Sequence, residues 1–121
     1  MKPYTFFILL ICTLHIKAYS QNSSTLENKK KNIDVSFNCH QTFDSLVLIR
    51  QELIKHNIEL HYINVTFNKS GHLSGINFMV DCKDGFEGSA HLNTIYCTNK
   101  IGFYRHYDDS TSSPFGTVLE K

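Results

Sequence analysis

Cysteines, histidines and one pair of adjacent aspartates are the residues through which this chain could do chemistry beyond folding. Past residue 20 the thiols are Cys39, Cys82 and Cys97, the imidazoles stand at positions 40, 56, 61, 72, 91 and 106, and the carboxylates adjoin as Asp108-Asp109. Thiols form disulfides, bind soft metals or act as nucleophiles, and the last use needs a base beside the nucleophile. No Gly-x-Ser-x-Gly elbow and no His-Glu-x-x-His pair occurs. No histidine joins a cysteine at a structural zinc spacing except Cys39-His40. On an extended strand those neighbours point to opposite faces. A three-ligand set from His61, His72 and His91 on neighbouring strands is conceivable, but solvated histidines are the plainer expectation. Asp108-Asp109 sits among Ser110, Thr111, Ser112 and Ser113, where solvation or weak calcium contact is expected ahead of acid–base work. The expectation is a protein that is not an enzyme and holds no cofactor and no metal.

Compartment follows from the first residues. Lys2 gives a short positive region, residues 6–14 an apolar run of signal-peptide length, and Ala18-Tyr19-Ser20 a small-x-small site. His15 and Lys17 interrupt the run too early for a membrane span. Residues 1–20 are therefore expected to be a secretory signal peptide, and residues 21–32, with Leu26 their one apolar side chain, a polar linker. The chain has 12 Lys+Arg and 11 Asp+Glu; taking away Lys2 and Lys17 leaves 10 against 11. That balance excludes a nucleic-acid or polyanion binder as the first expectation. A secreted or periplasmic protein without a membrane span is expected, with a protein or envelope component as partner.

The elements that would position these side chains follow from period and punctuation. Residues 58–67 and 72–82 are expected to form a hairpin around Asn68-Lys69-Ser70-Gly71. Ile76, Phe78, Val80 and Cys82 share one face of its second strand. The alternation slips near Tyr62–Ile63, which calls for a bulge or for burial of both faces. A first strand is expected over 32–39. A helix follows, with Thr42 as N-cap, Asp44 in its first turn and Asn57 as a left-handed stop. Its apolar stripe of Phe43, Leu46, Val47, Leu53 and Ile54 is expected to pack on the sheet. Residues 88–92 and 94–97 read as one strand or two short ones, 101–107 as another, and 108–114 as a polar loop. The fold class expected over 33–121 is α+β: one helix packed on an antiparallel sheet of about four to five strands in the order β-α-β-β-β-β.

In an oxidising compartment one disulfide is expected among Cys39, Cys82 and Cys97. Cys39 continues the parity of Ile33, Val35 and Phe37, and Cys82 that of Ile76, Phe78 and Val80. This slightly favours Cys39–Cys82, with all three pairings and three reduced thiols left open. If the strand over 101–107 lies at a sheet edge, alternating Phe103, Arg105 and Tyr107 form a partner face. The competing role for Phe103 and Tyr107 is closure of a small core.

Thr42-Phe43-Asp44, the run Leu53 to Ile58, Tyr62-Ile63-Asn64-Val65, Asn68-Lys69-Ser70-Gly71, Lys83-Asp84-Gly85, Gly88-Ser89-Ala90 and Pro114-Phe115-Gly116 together resemble a family. It is an uncharacterised exported domain of Bacteroidota-type bacteria, similar to C-terminal extracytoplasmic segments of BlaR-type sensor metallopeptidases. The resemblance spans roughly residues 42–116 and rests on turn and packing signals. It implies an envelope domain without peptidase activity, since the zinc motif and membrane helices of those sensors are absent. Asn57 stands where the family more often has glycine, and the cysteines have no counterpart there. The function expected is a small exported non-catalytic binding or accessory domain. An inhibitor or immunity-type protein against an exported enzyme is the first alternative, and a metal-binding protein the second.

Overall fold

The computed structural model describes residues 29–121. The expected signal peptide and the linker up to residue 28 lie outside the described residues. Residues 29–32 carry no helix or strand. Even so, Lys29 reaches Asp108 at 3.3 Å and Lys30 lies 5.3 Å over the Tyr107 ring.

The order is β1 (Ile33–Phe37), α1 (Phe43–Lys55), β2 (Glu59–Phe67), β3 (Leu73–Asp81), β4 (Glu87–Leu92), β5 (Lys100–Arg105) and β6 (Phe115–Glu120). The class is α+β as expected, but the strands divide into two antiparallel three-stranded sheets, β1-β5-β6 and β2-β3-β4. This corrects the single meander. Strand β6 follows the polar loop and pairs back on β5, which places β5 at the centre of its sheet rather than at an edge. Residues 94–97 form no strand; they belong to the loop that carries the chain from one sheet to the other.

Local sequence explains each element. Thr42 caps α1 at φ −106° and ψ 172°. Its side chain accepts from the Ser45 amide while the Ser45 hydroxyl accepts from the Thr42 amide, a reciprocal box that satisfies two amides the first turn leaves without partners. The helix stops at Asn57, φ 59°, and the Ile58 amide returns to the Leu53 carbonyl at 3.0 Å. In the β2–β3 hairpin the turn closes through Asn68 and ends on Gly71 at φ 78°, a left-handed value that costs glycine little. The slip at Tyr62–Ile63 is a bulge: Tyr62 faces Phe78 and Asn64 faces Asn77, leaving Ile63 unpaired and exposed.

Ile76, Phe78 and Val80 point from β3 into the core as their parity predicts. The Phe78 ring meets Phe37 of β1 at 5.1 Å and Phe103 of β5 at 6.0 Å, so the two sheets share one cluster, with Leu46 and Leu53 of α1 joining it. The β1–β5 ladder approaches closely at Gly102, where any Cβ would overlap the Val35 carbonyl. Gly102→Ala is accordingly expected to cost about 2 kcal/mol. The check is a lower urea midpoint with an unchanged slope.

The disulfide joins Cys39 and Cys97, with Cα atoms 5.2 Å apart at a sequence separation of 58. This corrects the preference for Cys39–Cys82. Strand β1 ends at Phe37, so its parity does not extend to Cys39, which lies half-buried in the following turn, against the rim of the core. Cys82 does follow the β3 parity and is buried and free, 3% exposed. Burial pushes its thiol up to about 11, with the Asp84 charge adding and Arg105 opposing. Among the described residues, maleimide labelling without reductant should therefore find no reactive thiol in native protein and one, Cys82, in urea. A native thiol that labels rapidly at neutral pH would contradict this arrangement.

Candidate functional site

Two of the three side chains expected to form a partner face, Phe103 and Arg105, turn inward. Phe103 is 1% exposed in the core, and Arg105 is 9% exposed. The Arg105 guanidinium lies between the Phe86 ring at 4.5 Å and the Tyr107 ring at 4.3 Å. Its Nε and Nη2 donate to Asp84 Oδ2 at 2.9 and 2.8 Å, and its Nη1 donates to the carbonyls of His106 and Pro114. Every donating nitrogen is engaged. Phe103, Arg105 and Tyr107 thus hold the β5–β6 corner together; Phe103 and Arg105 present no outward surface, and Tyr107, stacked on the guanidinium, stays partly exposed.

The histidines are likewise scattered. His61 and His91 project from the outer face of β2-β3-β4, His72 sits at a bridge to Thr42, and His106 contacts Asp34 at 2.9 Å. The set His61, His72 and His91 is not brought together. On that outer face a depression of about 450 Å³ contains Glu59, His61, Met79, Asp81 and Lys83. Its charges are already matched: Glu59 meets His61 at 2.6 Å and also Lys83, and Lys83 reaches Asp81 at 3.1 Å. Hydrogen bonds from Lys83 and then His61 hold the Glu59 carboxyl below its usual range. The Lys83 amide and then its ammonium do the same for Asp81. A surface whose charges are mutually satisfied offers a ligand little that water does not.

A groove between α1 and β2 differs in this respect. The cap at Thr42 and the stop at Asn57 fix the helix length, and the Tyr62 hydroxyl donates to the Leu46 carbonyl at 2.8 Å, pinning β2 beneath the helix. Burial pushes the Tyr62 phenol well above its ordinary value, against the charge of Arg50, so it stays a donor at any physiological pH. Leu46 and Leu53 take the core face of α1, and Phe43, Val47, Arg50 and Ile54 form a second stripe beside them at i, i+4, i+7 and i+11. With Tyr62 and Val65 this stripe lines about 350 Å³ of open groove. Phe43 closes one end against Phe67, ring centres 6.3 Å apart. Past Ile54 the trough continues toward Asn57, Glu59 and Lys83.

The sequence placed Phe43, Val47 and Ile54 on a stripe meant for the core. The structure leaves Phe43 and Ile54 each 62% exposed, more apolar surface than the fold uses. Arg50, between them, makes no salt bridge among the described residues. The signal that could have found this site was the width of the stripe, five apolar positions on thirteen helical residues.

A second constellation joins the disulfide to His40. Ligand atoms of Cys39, His40 and Cys97 all lie within 4.8 Å of one another, the one such group of three among the described residues. Cys39 and His40 do not face opposite ways as strand neighbours would, because they lie in a turn, not on a strand.

No known protein family model, curated protein or solved structure matches the chain. Among the described residues no helix is long and apolar enough to cross a membrane.

Proposed function

We propose that this protein is a non-catalytic binding module that takes an extended peptide segment of a partner protein into the α1–β2 groove. The observation that carries the reading is the pair of exposed side chains, Phe43 and Ile54, on one wall of a groove, with Arg50 between them making no salt bridge among the described residues. Eleven residues of helix at about 1.5 Å each give a trough roughly 16 Å long, room for about five residues of extended chain. The other wall is β2, an end strand of its sheet that pairs with β3 alone. Helix-flanked edge strands receive peptides by adding a strand, with alternate side chains dropping into the apolar trough. Arg50 assigns the chemistry of the occupant: apolar side chains flanking one carboxylate, since a guanidinium pairs carboxylates in fork geometry. The disulfide and the leader-like first residues fit an exported protein that meets its partner in the cell envelope. The resemblance to exported envelope domains supports the same reading.

The test is selection of random peptides on the exported protein, with the winners mapped by amide shift perturbation. Enrichment of acidic–apolar sequences that shift Val47, Ile54 and Val65 is expected. Ile54→Asp should weaken such a peptide at least about 10-fold, while folding stability changes by no more than about 0.5 kcal/mol because the side chain is exposed. Arg50→Glu should reverse the charge preference. Peptides that perturb only the Glu59–Lys83 face, or that ignore both substitutions, would remove the groove from the account.

A further inference from the structure

We propose that Cys39, His40 and Cys97 form a redox-gated site for a thiophilic divalent cation of the zinc type, closed while the disulfide stands and opened when it is reduced. The three donor atoms already lie within 4.8 Å of one another, and two thiolates with one imidazole are a donor set that suits zinc, with water in the fourth position. Cys97 and His40 are exposed and Cys39 half-buried, so reductant and metal both have access. Exposed disulfides are the reducible ones.

The site does not depend on the disulfide for its assembly. Cys39 and His40 lie inside a turn closed by the Gln41 amide to the Asn38 carbonyl at 3.3 Å, with the His40 amide held by Asn38 Oδ1 at 2.9 Å. Cys97 lies inside another, closed by the Asn99 amide to the Tyr96 carbonyl at 2.9 Å, with the Tyr96 amide held by Asn99 Oδ1 at 2.7 Å. Each turn is anchored by a core residue next to it, Phe37 at 0% and Ile95 at 7% exposure. The two turns therefore remain neighbours after the S–S bond breaks. Tetrahedral zinc with bonds of about 2.3 Å holds its sulfurs about 3.8 Å apart, so they must separate by about 1.7 Å from disulfide contact. Side-chain rotation in two surface turns supplies such a displacement, whereas paired strands would resist it.

The chemistry balances with a dithiol as reductant. It delivers two electrons and two protons, the Cys39–Cys97 bond becomes two thiols, and the donor leaves as its own disulfide. The cation then displaces both thiol protons as two metal–sulfur bonds and one metal–nitrogen bond form. Reoxidation by a disulfide of suitable potential reverses the sequence and expels the metal.

The experiment uses the mature exported protein, reduced with dithiothreitol, freed of it anaerobically and titrated with Zn²⁺ and with Co²⁺ as its spectroscopic surrogate. One equivalent bound, cobalt bands showing thiolate coordination, and no binding by the disulfide form are expected. His40→Ala, which leaves the disulfide able to form and the fold checkable by circular dichroism beforehand, should weaken zinc at least 10-fold. Cys97→Ala should abolish thiolate bands. Full affinity in both variants would assign the metal elsewhere and overturn the proposal. So would retention of zinc by the oxidised protein, or unfolding on reduction that zinc does not reverse.

Discussion

Arg105→Leu should be strongly destabilising, costing about 3 kcal/mol and lowering the melting temperature on the order of 15 °C, although it replaces a charged residue in a core by an apolar one. The reason lies in what the substitution strands. Asp84 loses both donors to its Oδ2, the Pro114 and His106 carbonyls lose theirs, and Phe86 and Tyr107 lose the plane they stack on. Removing one partner of a desolvated pair leaves the other with its desolvation cost uncompensated. Asp84 keeps 23% of its side chain exposed, so rehydration offsets part of the loss and the figure stays below that of a fully buried pair. Arg105→Lys should recover little, because one ammonium cannot serve a carboxylate and two carbonyls while lying flat between two rings. Adding Asp84→Asn to Arg105→Leu should cost less than the sum of the single changes, since the stranded charge is gone. Lys100→Ala provides the contrast: its bridge to Glu120 joins side chains 67% and 61% exposed, and its loss should cost under about 0.5 kcal/mol. Urea denaturation reads these four variants and Asp84→Asn alone. An Arg105→Leu variant as stable as Lys100→Ala would show that the guanidinium is a solvated surface group.

The same residue marks the limit of what the sequence made legible. Alternation along 72–82, the Asn68 to Gly71 turn, the Thr42 cap and the Asn57 stop are local signals. Hairpin, bulge and helix stand where they put them. Arg105 is decided by Asp84 and Phe86, which reach it from the β3–β4 loop, and by Pro114 from the segment before β6. Nothing in the local run Phe103-Tyr104-Arg105 distinguishes a guanidinium caged between rings from one offered to a partner. The division into two sheets is illegible for the same reason: β1 pairs with β5 across more than sixty residues, and no local pattern registers that. Strand β6 was missed because Phe115-Gly116-Thr117-Val118 alternates only briefly. Its pairing with β5 puts Gly116 against the Tyr104 ring, a contact that alternation does not encode. At the groove the helical stripe was visible, but whether Phe43 and Ile54 faced the core or water depended on how far β2 lay beneath the helix, which the Tyr62 hydrogen bond to Leu46 sets.

Cys97→Ala is expected to lower stability by about 3 to 4 kcal/mol. The basis is the entropy of closing a loop of 58 residues, which chain statistics put near 4 kcal/mol and native-state relaxation reduces. Position adds to length here. Cys39 lies where the chain leaves β1 for the helix, and Cys97 where it passes from β4 to β5, so one bond ties together the two places at which the chain changes sheets. Without it the sheets are joined by the shared cluster around Phe37, Phe78 and Phe103 and by the Arg105–Asp84 bridge. The magnitude alone does not identify the pairing, because a Cys39–Cys82 loop would differ by only about 0.3 kcal/mol. Comparison of variants does. Cys97→Ala and Cys39→Ala should fall by the same amount and converge on wild type measured with a dithiol present. Cys82→Ala should respond to that dithiol as wild type does, its own cost being the small void left by one buried sulfur. A Cys82→Ala protein that no longer responds to reductant would transfer the crosslink to Cys82. A domain of this size typically holds about 5 to 10 kcal/mol in all, so the reduced form should stay folded with a narrow margin. That margin makes Arg105→Leu under reducing conditions the most sensitive combination: two losses of about 3 kcal/mol each, at separate joints between the same two sheets, should together unfold the protein at room temperature.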